Sequence, residues 1–235
     1  GKRETGEGGV VEAGEGERAL AFRILADERL DLDKATLAVA DGISTGFADG
    51  YITLNLLEAD PVMREEMRAA VGEPYRTLLG HCRHEVGHYY FWRLVDGRQT
   101  EAFRGLFGDE RADYGGYLQK HYAEGPPQDW DERFVSAYAS SHPLEDFAET
   151  WAHYLHLFDT LQTAAWLQIS LPDTRFTLPD IRAAASFDGV LQHWRTLAGT
   201  LNELSRSLGV EDLYPFSIPP PVAAKLAFVH ELCGR

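Results

Sequence analysis

At 235 residues, 44% of them apolar and 11% aromatic, the chain is long enough to bury a core without help from disulfides or oligomerisation. Its formal charge of -15, from 22 Lys and Arg against 37 Asp and Glu with no basic stripe, argues against nucleic acid as a partner. Two isolated cysteines, Cys82 and Cys233, provide neither a disulfide framework nor a Cys-x-x-Cys zinc ribbon, and no apolar run reaches the roughly 20 residues of a membrane span, so a cytoplasmic, reducing setting is expected.

Residues 1–17 mix glycine with charge and carry little to bury, which predicts a flexible lead-in ahead of a single domain over residues 18–235. Apolar runs at 19–25, 37–39 and 50–56, the last with β-branched and aromatic alternation, predict the strands of a small N-terminal mixed sheet. From Asp60-Pro61 onward the pattern turns helical, and Glu73-Pro74 opens a helix whose apolar positions from Leu78 to Val95 surround nearly its whole circumference. Such a helix belongs in the interior. Further helices are expected at about 99–106, 109–122, 131–140, 143–169, 188–208 and 221–233, with ends good to roughly 2–4 residues. The fold class is α+β and mostly helical, a small sheet followed by a bundle.

Inside the buried helix lies His84-Glu85-Val86-Gly87-His88, a His-Glu-x-x-His motif. Four residues is just over one helical turn, so both imidazoles project from one face and can converge on one ion. Glu85 points about a quarter turn away, beside the ion and placed to move protons. Burying these three side chains without a partner costs several kcal/mol, and a metal ion supplies that partner.

A catalytic zinc needs a third protein ligand and one open position. Downstream, Leu144, Phe147, Ala148, Trp151, Leu155 and Phe158 form a helical stripe, with Glu145 and Glu149 one turn apart beside it. If Glu145 is the ligand, Glu149 can accept the free ring N–H of His84, although spacing alone does not choose between the two carboxylates. Asp109, Glu110 and Asp113 are a rival source that reads better as helix-start charges. His81, His121, His153, His156, His193 and His230 lack ligand spacing and read as core or surface; Cys82 reads as an inert buried thiol.

With these residues in place, the sequence resembles the gluzincin peptidases, in which a glutamate ligand is followed four residues later by an acid, as Glu145 is by Glu149. It is closer still to a bacterial family known only as candidate zinc-binding metallopeptidases. That resemblance is carried by the segments at 72–81, 107–111 and 134–143 and covers most of residues 18–235. It implies a zincin-like domain holding one catalytic zinc on His84, His88 and Glu145. Members often carry an N-terminal zinc ribbon, for which this chain has no cysteines. Similarity to lethal-factor-type and Pro-Pro endopeptidase domains implies that Tyr138, seven residues before Glu145, donates to the oxyanion. His142 is a second candidate for that work. In such folds the strand before the active helix pairs with extended substrate, which makes Thr53 and Asn55 candidate contacts.

The expected activity is zinc-dependent hydrolysis of a peptide or protein substrate, with Glu85 as general base. The alternatives are a non-hydrolytic, metal-containing module that binds peptides or proteins, and a hydrolase of non-peptide amides.

Overall fold

The computed structural model describes residues 19–25, 45–60, 62, 77–171, 174–177 and 187–234. The lead-in at 1–17, the strand expected at 37–39, Pro61 and the Glu73-Pro74 helix start lie outside them.

Strands β1 (Ala21–Leu25), β2 (Gly46–Ala48) and β3 (Tyr51–Asn55) form a mixed sheet in the order β1-β3-β2, with β1 parallel and β2 antiparallel to β3. The β2–β3 hairpin turns on Asp49-Gly50, both at positive φ (49° and 82°), as a two-residue type I′ turn requires. A Cβ on Gly50 would lie 2.7 Å from the Ala19 carbonyl oxygen, so space as well as φ demands glycine there. Ile52 is fully buried, and Phe47 packs against Tyr89 and Trp92 to hold the sheet on the first long helix.

That helix, α1 (Leu78–Tyr90), starts at Thr77, whose backbone is extended and whose hydroxyl accepts from Gly80 N at 2.9 Å. It runs on through one wide turn, Phe91–Val95, closed by Asp96 N donating to the Phe91 carbonyl at 3.0 Å. Next come α2 (Thr100–Phe107) and α3 (Tyr114–Glu124). The helix predicted from residue 109 starts later because Asp113 is the residue that caps it, accepting from Gly116 N at 3.2 Å. Asp109 instead binds Arg111, and Glu110 binds Arg104.

The helix predicted over 131–140 is broken into α4 (Trp130–Arg133), an extended Phe134 and a tight turn at Tyr138–Ser141. Lys225 Nζ takes the Arg133 carbonyl at 2.8 Å, and Ser136 Oγ accepts from Ala139 N at 3.1 Å, so tertiary and side-chain bonds replace the helical ladder. The longest helix is α5 (Pro143–Trp166), capped by His142 with Pro143 in its first turn. A small hairpin of β4 (Ser170–Leu171) and β5 (Thr174–Arg175), then α6 (Phe187–Ser207) and α7 (Pro220–Cys233), complete the fold.

α5 is the axis of the bundle, packing on α1, α2, α6 and α7. Phe147, Leu157 and Leu161 on it are fully buried, each contributing roughly 1.5–3 kcal/mol by the usual transfer scale. Phe91, Phe103, Phe107 and Phe147 pack ring to ring at its N-terminal end, with Phe91 and Phe103 4.9 Å apart. There too Lys225 of α7 reaches Asp146 at 2.6 Å in a buried ion pair that ties α7 to the first turn of α5.

Candidate metal centre

Close approach of α1 and α5 creates the site. A Cβ on Gly87 would lie 2.9 Å from Ala148 Cα and 3.1 Å from its carbonyl oxygen, so the glycine inside the His-Glu-x-x-His motif lets the two backbones meet. Tyr90 stacks on Trp151 at 4.5 Å on the same seam. The imidazoles of His84 and His88 then face the first turn of α5, where the His142 cap and Pro143 have placed Glu145.

Three ligand atoms converge. His84 Nε2 and His88 Nε2 are 3.1 Å apart, Glu145 Oε2 is 3.1 Å from the first and Glu145 Oε1 is 3.4 Å from the second, and one ligand atom from each residue lies within 4.8 Å of the others. Tetrahedral zinc with bonds near 2.0–2.1 Å places its ligand atoms about 3.3–3.4 Å from one another. Two imidazole nitrogens that close, with a 1%-exposed carboxylate against them, are a candidate donor set for a metal ion. No other group of three such donors meets in this way among the described residues.

Glu149 takes the position behind His84: His84 Nδ1 donates to Glu149 Oε1 at 2.6 Å, and Ser136 Oγ donates to Oε2 at 2.6 Å. This hydrogen bond fixes the tautomer in which Nε2 faces the centre. Of the two carboxylates between which spacing does not choose, Glu145 lies in the converging cluster and Glu149 lies against the far nitrogen of His84. Electrostatics follow the same arrangement. Burial pulls His84 down, but hydrogen bonds to Glu145 and Glu149 outweigh it and hold the imidazole well above its ordinary value. For Glu149 burial works upward, and the His84 bond overrides it to leave the carboxyl at about 2. Glu145 is likewise held far below the usual carboxylate range by His84 and His88 against the effect of burial. A cation held by His84, His88 and Glu145 would take the place of a proton on His84 and be balanced by the carboxylates around it.

Glu85 is buried, and its Oε2 has no hydrogen-bond partner among the described residues. Its Oε1 lies 3.4 Å from His81 Nε2. The Tyr138 ring lies 6.0 Å from the His84 ring, and its phenol is pushed upward by burial and by Glu145. A second phenol stands closer to the ligands: Tyr114 donates to Glu145 Oε1 at 2.7 Å.

The other expected residues have the following surroundings. His142 is 2% exposed; its Nδ1 accepts from Leu144 N at 3.1 Å and its Nε2 donates to the Ala112 carbonyl at 3.2 Å, leaving neither nitrogen for substrate. β3 is the middle strand of the sheet, paired with β1 along Tyr51–Asn55 and with β2 over Tyr51–Thr53, and Asn55 N donates to Thr45 Oγ1 at 3.0 Å. Thr53 thus has strand neighbours on both sides, and Asn55 has β1 on one side and the Thr45 hydroxyl on its N–H. Sequence reasoning did not single out Tyr114 and Ser136, which bind Glu145 and Glu149, nor did it link His81 to Glu85 or to Glu58 on the turn after β3. Only His81 had a legible signal, its four-residue spacing to Glu85.

Fold and site together define a helical α+β protein with a candidate His-His-Glu metal centre. The profile of the family described as "Putative zinc-binding metallo-peptidase" matches residues 10–232. The chain belongs to that family. It is also 44% identical over 216 residues to uncharacterized proteins of Mycobacterium bovis and of two strains of Mycobacterium tuberculosis, a match covering 91% of this chain and 60% of each relative. The chain thus spans less than two thirds of the length of these relatives. No solved structure matches it significantly. Among the described residues no helix is long and apolar enough to cross a membrane.

Proposed function

We propose that this domain is a zinc-dependent peptidase whose general base is Glu85. The observation that carries the reading is the convergence of His84 Nε2, His88 Nε2 and a Glu145 oxygen within 4.8 Å of one another, beside a buried glutamate with one oxygen unpartnered among the described residues. Zinc, when bound by these three side chains, supplies Lewis acidity that lowers the pKa of a nearby water and polarises a carbonyl.

The protein residues do the rest. Glu85 Oε2, with no competing donor, takes a proton from the attacking water and passes it to the leaving amine. Glu149 and Ser136 keep His84 from turning. A phenol that stays protonated across the working pH range can donate to the oxyanion, and both Tyr138 and Tyr114 are pushed upward by burial and by Glu145. Tyr138 is the proposed donor, with Tyr114 first holding Glu145 and available as substrate enters. The exposed rings of Tyr114, Tyr117 and Tyr122 on α3 offer a surface for apolar or aromatic side chains of a peptide.

The test is the Glu85→Gln variant screened against a peptide library. Zinc content stays near one per chain while kcat falls by about 10²–10⁴-fold, since only the base is removed. Chelator-sensitive cleavage by the wild type supports the peptidase. Tight peptide binding with no cleavage points to a binding module, and turnover of small amides alone points to a non-peptide amide hydrolase.

A further inference from the structure

The two oxygens of Glu85 have different surroundings. Oε2 is buried and unpartnered among the described residues, whereas Oε1 faces His81 Nε2 at 3.4 Å, one turn earlier on α1. The other ring nitrogen, His81 Nδ1, lies 2.5 Å from Glu58 Oε2. Glu58 comes from outside the helix, on the tight turn Leu56–Ala59 that follows β3, and is 4% exposed. Its Oε1 accepts from the Thr45 hydroxyl at 2.7 Å, and the same hydroxyl oxygen accepts from Asn55 N at 3.0 Å. Hydrogen bonds therefore run from the end of the sheet through Thr45 and Glu58 to His81, and an ion-pair contact of 3.4 Å carries the chain on to the glutamate of the His-Glu-x-x-His motif.

Proton counting restricts what the ring can do. A neutral imidazole that donates Nδ1–H to Glu58 presents a bare Nε2 lone pair, which would repel the Glu85 carboxylate. An imidazole held between two ionised carboxylates satisfies both only when it carries both N–H groups. Burial of His81 works against that state, and the bonds to Glu58 and Glu85 override it, leaving the ring raised above its ordinary value.

We propose that His81, clamped by Glu58 and Thr45, is a positioning residue for the general base: its Nε2–H holds Glu85 Oε1 so that Oε2 alone remains free to take a proton. The inference rests on the peptidase reading of the site. A glutamate on a helix turns freely about its last torsion, and a misplaced carboxylate presents either oxygen, or neither, to water. Fixing one oxygen from behind orients the other, much as an outer hydrogen bond orients a metal-binding imidazole. The chain also couples the N-terminal sheet to the chemistry without a backbone contact to substrate, a role for that region distinct from strand addition.

The experiment compares wild type, His81→Ala, His81→Gln and Glu58→Gln for zinc content, kcat and KM, with thermal melts as a fold control. The result expected for His81→Ala is one zinc per chain, KM within about twofold of wild type and kcat lowered about 10–100-fold. His81→Gln, whose amide nitrogen can donate from nearly the same place, restores most of kcat, and Glu58→Gln gives an intermediate loss. An unchanged kcat in His81→Ala, or a glutamine variant as slow as the alanine one, overturns the proposal. A readout free of turnover is the 15N–1H spectrum of the ring in zinc-bound wild type. Both nitrogens are expected to be protonated, with the Nε2–H signal displaced by Glu85→Gln; a bare Nε2 overturns the proposal whatever the activity. Wild type that binds zinc and cleaves nothing removes the peptidase reading alone, and the ring spectrum then decides whether His81 holds Glu85. Should His81→Ala fail to fold, His81→Gln and the spectrum still distinguish a positioning role from none.

Discussion

Buried histidines at two places along α5 are driven in opposite directions. At its N-terminal end, His84 of α1 lies between Glu145 and Glu149 and is raised despite burial. Two turns further along, His153 sits against the Tyr214 hydroxyl at 2.8 Å and the Phe216 ring at 4.5 Å, and burial lowers it to about 4. His156 is lowered to about 3, by burial and then by His153 and Arg83, whose guanidinium approaches its Nδ1 at 2.5 Å. Burial alone makes histidine a neutral core residue. Carboxylates on the facing side convert it into a cation site.

Four substitutions sharpen this contrast. Removing the charged partner should have the largest effect: Glu145→Ala is expected to weaken zinc binding by more than about 100-fold, against about 10–100-fold for Glu149→Ala, which only orients His84. Competition with a chelating dye measures both, and equal losses would mean that both carboxylates coordinate.

Next comes the seam between α1 and α5. Gly87→Ala places a methyl group against the Ala148 backbone and should cost about 1–3 kcal/mol of stability, with weaker zinc binding as the helices separate. Denaturant titration with and without zinc tests this. A fully stable variant with wild-type zinc affinity would show that the close crossing is dispensable.

The smallest effect concerns the neutral histidine. The folded-state value of His153 lies below the unfolded one of about 6.5, so its contribution to stability is full above pH 6.5 and is lost as pH falls toward 4. Over that window it contributes a slope of about 1.4 kcal/mol per pH unit, and His153→Gln should flatten the acid limb by that amount. Urea unfolding of the two proteins at several pH values checks the slope rather than the absolute stability. Glu149, the charged group nearest His153 in effect, stays ionised throughout the window and is common to both proteins.

Local patterns determined much of this molecule. The i, i+4 spacing of His84 and His88 lets them share a helix face wherever that helix lies, and the apolar stripe from Leu144 to Phe158 commits α5 to the interior. Pro143 after His142, and the prolines before α7, fixed helix starts because proline can occupy the first turn and little beyond it. The Asp113 cap and the break after Arg133 were less legible, because they depend on which acid finds a free N–H and on Lys225 arriving from 92 residues away.

Tertiary structure decided the remainder of the site. Glu145 and Glu149 are both carboxylates on one face of one helix, and only the depth and angle at which α5 crosses α1 turns the first toward two imidazoles and puts the second behind one of them. His81 looked like an ordinary core residue until a turn from the sheet brought Glu58 to its far nitrogen. The sequence by itself determined which residues could bind a cation, because spacing along a helix is a property of one segment. Which of them meet, and in what order around the centre, required packing between segments, because distances between helices are set by side-chain volume such as the missing Cβ at Gly87 and are encoded in no single stretch of chain.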